Sequence, residues 1–221
     1  HSYGKNIFPD FYEWIQFLGN ISNETDYDWY IKTHPDYLPG TKEIIDDFIR
    51  RFPRFELLPS DASHLQIINE GIDFALTVYG TIGFEYAALG VPVINSSPNN
   101  PHVAYDFNIH AASIEDYRGI LMQLDSLNFA IDKDKVYEYY FMRNIFNTND
   151  MIFRGFNRLL VEIGGYDRQF LPRFYQKWLN AWSPERHVEI LAAFNTFIES
   201  KDFRMDYRHF GQEFALEADE S

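Results

Sequence analysis

A cation and an imidazole stand two residues apart in Lys32-Thr33-His34-Pro35, where the first clear apolar run of this 221-residue chain ends. Strand alternation would put Lys32 and His34 on one side, and Pro35 would turn the chain away. Such a pair suits a phosphate, or the phosphate oxygen that leaves when a bond to it breaks. The plainer alternative is a histidine bonded to a loop carbonyl beside a surface lysine. A second group is Tyr79-Gly80-Thr81-Ile82-Gly83, after another apolar run. There Gly80 would allow a positive φ or a close ligand, and Thr81 would cap the next helix. Gly83 inside that helix costs about 1 kcal/mol relative to alanine unless close backbone approach requires it. Glu85 is the sole acid between Thr77 and Tyr105, and a carboxylate there could accept both hydroxyls of a ribose. Its alternative role is a surface acid favoured by the helix dipole. Ser96, Ser97 and Asn99 lie in a polar loop after the next run, and Ser60 lies in the Pro59-Ser60-Asp61 turn.

The elements that must position these groups follow from periodicity and turn residues. Helices are expected from Pro9 to about Leu18, over 41–52, 63–68 and 82–89, and from Ser113 to about Leu127. Strands are expected over 29–33, 55–58, 74–78 and 91–95. Strands alternating with helices predict βαβ units: a Rossmann-like parallel sheet with helices on both faces over residues 1–130. The strands read as apolar runs buried on both sides. Helices over 136–146, 167–182 and 184–199 predict a helical appendage, residues 131–212, packed on that sheet. The acidic stretch 213–221 is expected to be a disordered tail.

Composition narrows the function. A net charge of −14 opposes nucleic-acid binding, which needs a basic face to release counterions. With no cysteine, disulfides, thiolate nucleophiles and cysteine-held zinc are excluded. The seven histidines show no ligand spacing, so no metal is expected, and His110, His187 and His209 read as structural or exposed. Neither a Gly-x-Ser-x-Gly elbow nor a Gly-Lys-Thr phosphate loop occurs. No apolar run reaches the ~18 residues of a membrane span. The chain opens on His1 without an initiator methionine or an apolar leader, which suggests an excised domain.

Taken in order, Trp-Tyr-Ile-Lys-Thr-His-Pro (29–35), Leu-Leu-Pro-Ser-Asp (57–61), Gly-Thr-Ile-Gly-Phe-Glu-Tyr (80–86) and Gly-Val-Pro-Val-Ile (90–94) resemble the C-terminal, donor-binding half of GT-B glycosyltransferases. The nearest group is the bacterial capsule and surface-polysaccharide transferases, and the resemblance spans about residues 7–125. It implies a bacterial, cytoplasmic enzyme, or one peripheral at the inner face of the cell membrane. A nucleotide-sugar would be the donor, with no cofactor or metal. The acceptor would be a growing glycan or a lipid-linked glycan, and the acceptor domain would lie in a missing N-terminal half. His34 and Lys32 would act on the departing phosphate. Pro35, Ser60, Gly80, Thr81, Gly83, Glu85, Ser96, Ser97 and Asn99 would bind the nucleotide-sugar. Polyol-phosphate transferases and sugar-nucleotide 2-epimerases are the neighbouring enzyme readings. A non-catalytic Rossmann-like interaction module is the non-enzyme one.

Overall fold

The computed structural model describes residues 6–34, 40–100, 102–146 and 155–212. Pro35 and the acidic tail lie outside the described residues. The chain divides into two compact units, His1–Lys133 and Asp134–Ser221.

In the first unit Asp10 starts α1 (Phe11–Ser22), its carboxylate accepting the Glu13 N–H at 2.9 Å. Such a cap contributes about 1 kcal/mol. Strand β1 (Trp29–Ile31) leads to α2 (Thr41–Arg51) and β2 (Phe55–Leu57). Gly40, in the left-handed region at φ 86°, is the N-cap of α2, and no side chain caps it. Ser63 and Gln66 form a reciprocal capping box at the start of α3 (His64–Asn69). Then follow β3 (Ala75–Thr77), α4 (Ile82–Ala88), β4 (Val93–Asn95), a 3-10 turn (Val103–Tyr105), β5 (Ile109–His110) and α5 (Ile114–Leu121).

All pairings are parallel, but the strands form two small sheets, β1-β2 and β3-β4-β5, where one continuous sheet was expected. The reason is strand length. Each strand is two or three residues long, and no ladder joins β1 or β2 to β3 among the described residues. Both sheets nevertheless share one core. Trp29, Phe55, Leu76, Ile94 and Ile109 from the strands meet α1, α2 and α5 through residues such as Leu18, Phe48 and Tyr117. On the opposite face Ala75 and Val93 pack with Tyr86 of α4 and Ile68 of α3. Burial on both faces therefore holds for β3-β4 only. In β1-β2 Tyr30 and Glu56 pair in register and are exposed. Ile44 of α2 is also exposed, while Ile45 and Phe48 are buried in the shared core.

The second unit is helical among its described residues. Lys133–Phe141 (α6, entering from the unit boundary) continues into a π-helical turn, Met142–Phe146. Next come α7 (Phe156–Ile163), α8 (Pro172–Ala181) and α9 (Val188–Ser200). The expected single helix over 167–182 is instead a 3-10 turn followed by α8, because Pro172 occupies a first-turn position. The pair α7–α8 encloses Leu159, Leu160, Ile163 and Phe174.

Candidate functional site

Where the strands of the first unit end, the polar groups collect. Thr77, Asn95 and His110 stand opposite one another at the carboxyl ends of β3, β4 and β5. Alternation places them on the face shared with Ala75 and Val93, beneath α4.

The Gly-Thr turn differs from its expected form. Gly80 is not at positive φ. Its N–H donates to Thr77 Oγ1 at 3.0 Å, and a Cβ there would lie 2.8 Å from the same oxygen. The glycine makes room for the threonine that folds over it. Thr81 is the N-cap of α4 but makes no side-chain cap bond, because its backbone is already helical at φ −61° and ψ −24°. The amides of Gly83, Phe84 and Glu85 are taken by the Gly80 and Thr81 carbonyls. A short helix with its first amides engaged offers little to an anion.

Gly83 is buried, and its missing side chain is filled by an imidazole. A Cβ would lie 2.7 Å from His102 Cε1. Asn108 locks this arrangement: its Nδ2 donates to the Gly83 carbonyl at 2.6 Å and lies 2.9 Å from His102 Nε2. Ser96 and Ser97 are fully buried. The Ser97 hydroxyl donates to Asn6 Oδ1 at 3.0 Å and accepts the Asn99 N–H at 3.2 Å. Asn99 itself is exposed. Asn100 Nδ2 donates to the Val78 and Ser97 carbonyls.

Five side-chain atoms in this nest make no hydrogen bond to another protein group: both amide atoms of Asn95, Ser96 Oγ, Asn100 Oδ1 and Asn108 Oδ1. Each such group costs about 1–3 kcal/mol when buried unpaired, which makes the cluster unusual for a native core. Burial pushes the His110 imidazole below its ordinary range, and the Ser97 backbone and Asp106 oppose this without reversing it.

At the other sheet Lys32 is half-buried and its ammonium donates to the Ser60 carbonyl at 2.9 Å, tying the ends of β1 and β2 together. Because β1 stops at Ile31, Lys32 and His34 lie in the loop beyond it, and strand alternation does not orient them. His34 and Ser60 are exposed; Glu85 is half-buried and makes no ion pair among the described residues. Beside it, His64 Nδ1 meets the Tyr86 hydroxyl at 2.9 Å.

The edge at β3 is covered by the chain itself. Asn6 holds Ser97, and Phe11 packs edge-on against Tyr79 with ring centroids 5.6 Å apart. Between Asn6, Phe8, Phe11, Val78 and Tyr79 remains a cavity of about 10 Å³, room for one water. A wider groove of about 510 Å³ beside α5 carries Glu115 and Asp116, which repel a phosphate. Among the described residues no cluster of three histidines or acids could hold a metal. None of the described helices is long and apolar enough to cross a membrane.

The second unit holds an arrangement with the outline of a nucleophilic triad. His209 Nε2 lies 3.2 Å from Ser200 Oγ, and Nδ1 lies 3.3 Å from Asp206 Oδ1. However, Nδ1 accepts the Asp206 backbone N–H at 3.1 Å, closing a capping box. In the neutral ring the proton is therefore on Nε2, facing the serine that it would have to deprotonate. Buried Asp206 also binds Arg208 through both carboxylate oxygens. Burial alone would raise the Asp206 carboxyl, but the hydrogen bonds and charge of Arg208 hold it below its ordinary range.

Sequence reasoning missed Asn95, His102, Asn108 and His110 as one group. Their polarity was visible, but the two-residue β5 that delivers His110 carries no periodicity signal. Compared with known proteins, the chain matches no family model, no curated protein and no solved structure.

Proposed function

We propose that the chain is the donor-binding half of a GT-B type glycosyltransferase that takes a nucleotide-sugar at the carboxyl ends of its parallel strands. One observation carries the reading: how the helices divide between the two faces. Helices α1, α2 and α5 share one core, and α3 and α4 lie over the opposite face. A doubly wound sheet has this division when its chain reverses between β1 and β3, and that reversal opens a ligand crevice at the strand carboxyl ends. In this reading Lys32 and His34 would leave β1 at that crevice, and Tyr79 and Gly80 would leave β3 beside them. In this reading Lys32 and His34 meet charge on the departing phosphate in place of a divalent ion. Glu85 accepts the ribose hydroxyls, and Ser60, Thr81 and Asn99 line the approach. The residue that activates the acceptor, a surface glycan or lipid-linked glycan, belongs to another domain.

Calorimetric titration with CMP, UDP and GDP tests this. One of the three should bind, and Glu85→Ala should weaken it about tenfold or more through loss of charge-assisted hydrogen bonds. If none of the three binds the unaltered chain, the reading fails.

A second reading, a non-catalytic interaction module, is favoured by a different observation. The β3 end is covered by residues 6–11, and the second unit exposes Tyr166, Phe170, Leu179 and Phe203. Absence of nucleotide binding together with capture of a protein partner would select it.

A further inference from the structure

The nest beneath α4 has a definite chemical character. Asn95 is wholly inaccessible, Asn100 and Asn108 nearly so, and all three present amide oxygens that accept nothing. Ser96, equally buried, has an unengaged hydroxyl. Against these acceptors stand the equally unengaged N–H groups of the Asn95 amide, with His110 opposite it on β5. An anion would face three amide oxygens, and a cation would face the Asn95 N–H groups. What satisfies both sets is a small neutral group that donates and accepts at once. We infer that the nest is a buried water site, in which internal water molecules bridge Asn95 to the surrounding amides and to His110. The site does not depend on the nucleotide-sugar reading. It lies on the α4 face of β4 and β5.

The sign of one substitution tests the inference. Asn95→Leu keeps the approximate size and removes both amide atoms. If water bridges Asn95, the substitution breaks those bonds and lowers the melting temperature, by about 3 °C or more. If the amide is truly unpaired, its removal relieves a buried polar group and the melting temperature rises, which overturns the inference. Should the variant fail to fold, the unaltered chain decides. In a nucleotide-free crystal structure, water oxygens within hydrogen-bonding distance of Asn95 and His110 are expected. A direct Asn95–His110 bond with no third group, or a metal ion in the nest, would overturn it.

Discussion

Buried polar residues gather in two places, and the two are built in opposite ways. In the second unit, Asp206 is fully buried yet wholly engaged. It binds Arg208 bidentately, contacts His209, and lies beside Arg204, which itself grips Glu138. In the first unit, Asn95 is equally buried and engages nothing through its side chain. Charge explains the contrast. A buried carboxylate cannot persist without cations or donors, so its partners must come from the protein. A neutral amide can be served by water or by a ligand hydroxyl. A fully engaged buried carboxylate therefore points to architecture, and an unengaged neutral amide to a site that receives something. The serine–histidine–aspartate outline belongs to the engaged kind.

The largest effect is expected from Asp206→Ala. Removing the anion leaves Arg208, Arg204 and His209 converging on nothing and removes the carboxylate half of the capping box. A loss of about 3 kcal/mol is expected for the second unit, read by urea denaturation. A loss below about 1 kcal/mol would show that the network is not structural. Next is Gly83→Ala. The new methyl group would meet His102 Cε1 at 2.7 Å, and the imidazole is pinned by Asn108. Overpacking of this kind costs about 2 kcal/mol in the first unit. A neutral outcome would mean that the nest yields easily.

Acid gives the smallest effect and separates the regions. The folded-state pKa of His110 is depressed below its ordinary 6.5, so the native nest binds fewer protons than the unfolded chain. Its contribution is complete above 6.5 and is lost as pH falls below that value through the folded pKa. Asp206 is depressed below 3.8, so its contribution survives to lower pH and is lost only below that value. Melting followed against pH should show the first unit weakening in mild acid while the second holds. His110→Gln should flatten the first slope. If both units weaken together, the contrast between the regions collapses.

Much of the fold was legible in the sequence, because its signals are local. Ser63 with Gln66 and the apolar faces of α1 and α2 act within one or two turns. Helix α7 was not expected, although Phe156, Leu159, Leu160 and Ile163 have helical spacing; at eight residues its periodic signal is short. The candidate site was legible as a set of segments but not as contacts. Thr77 covering Gly80, His102 filling the space at Gly83 and Asn6 holding Ser97 each join residues whose relation only folding creates.

By itself the sequence determined the parallel α/β character of the first unit, the helical character of the second and the loops in which polar groups stand. These follow from side-chain period and turn chemistry, which act over a few residues. Only the tertiary structure decided that the strands divide into two small sheets, that the Gly-Thr amides are largely engaged, and that five polar residues between Asn95 and His110 share one buried nest. Those outcomes depend on which distant groups satisfy one another once water is excluded, and no local pattern encodes that.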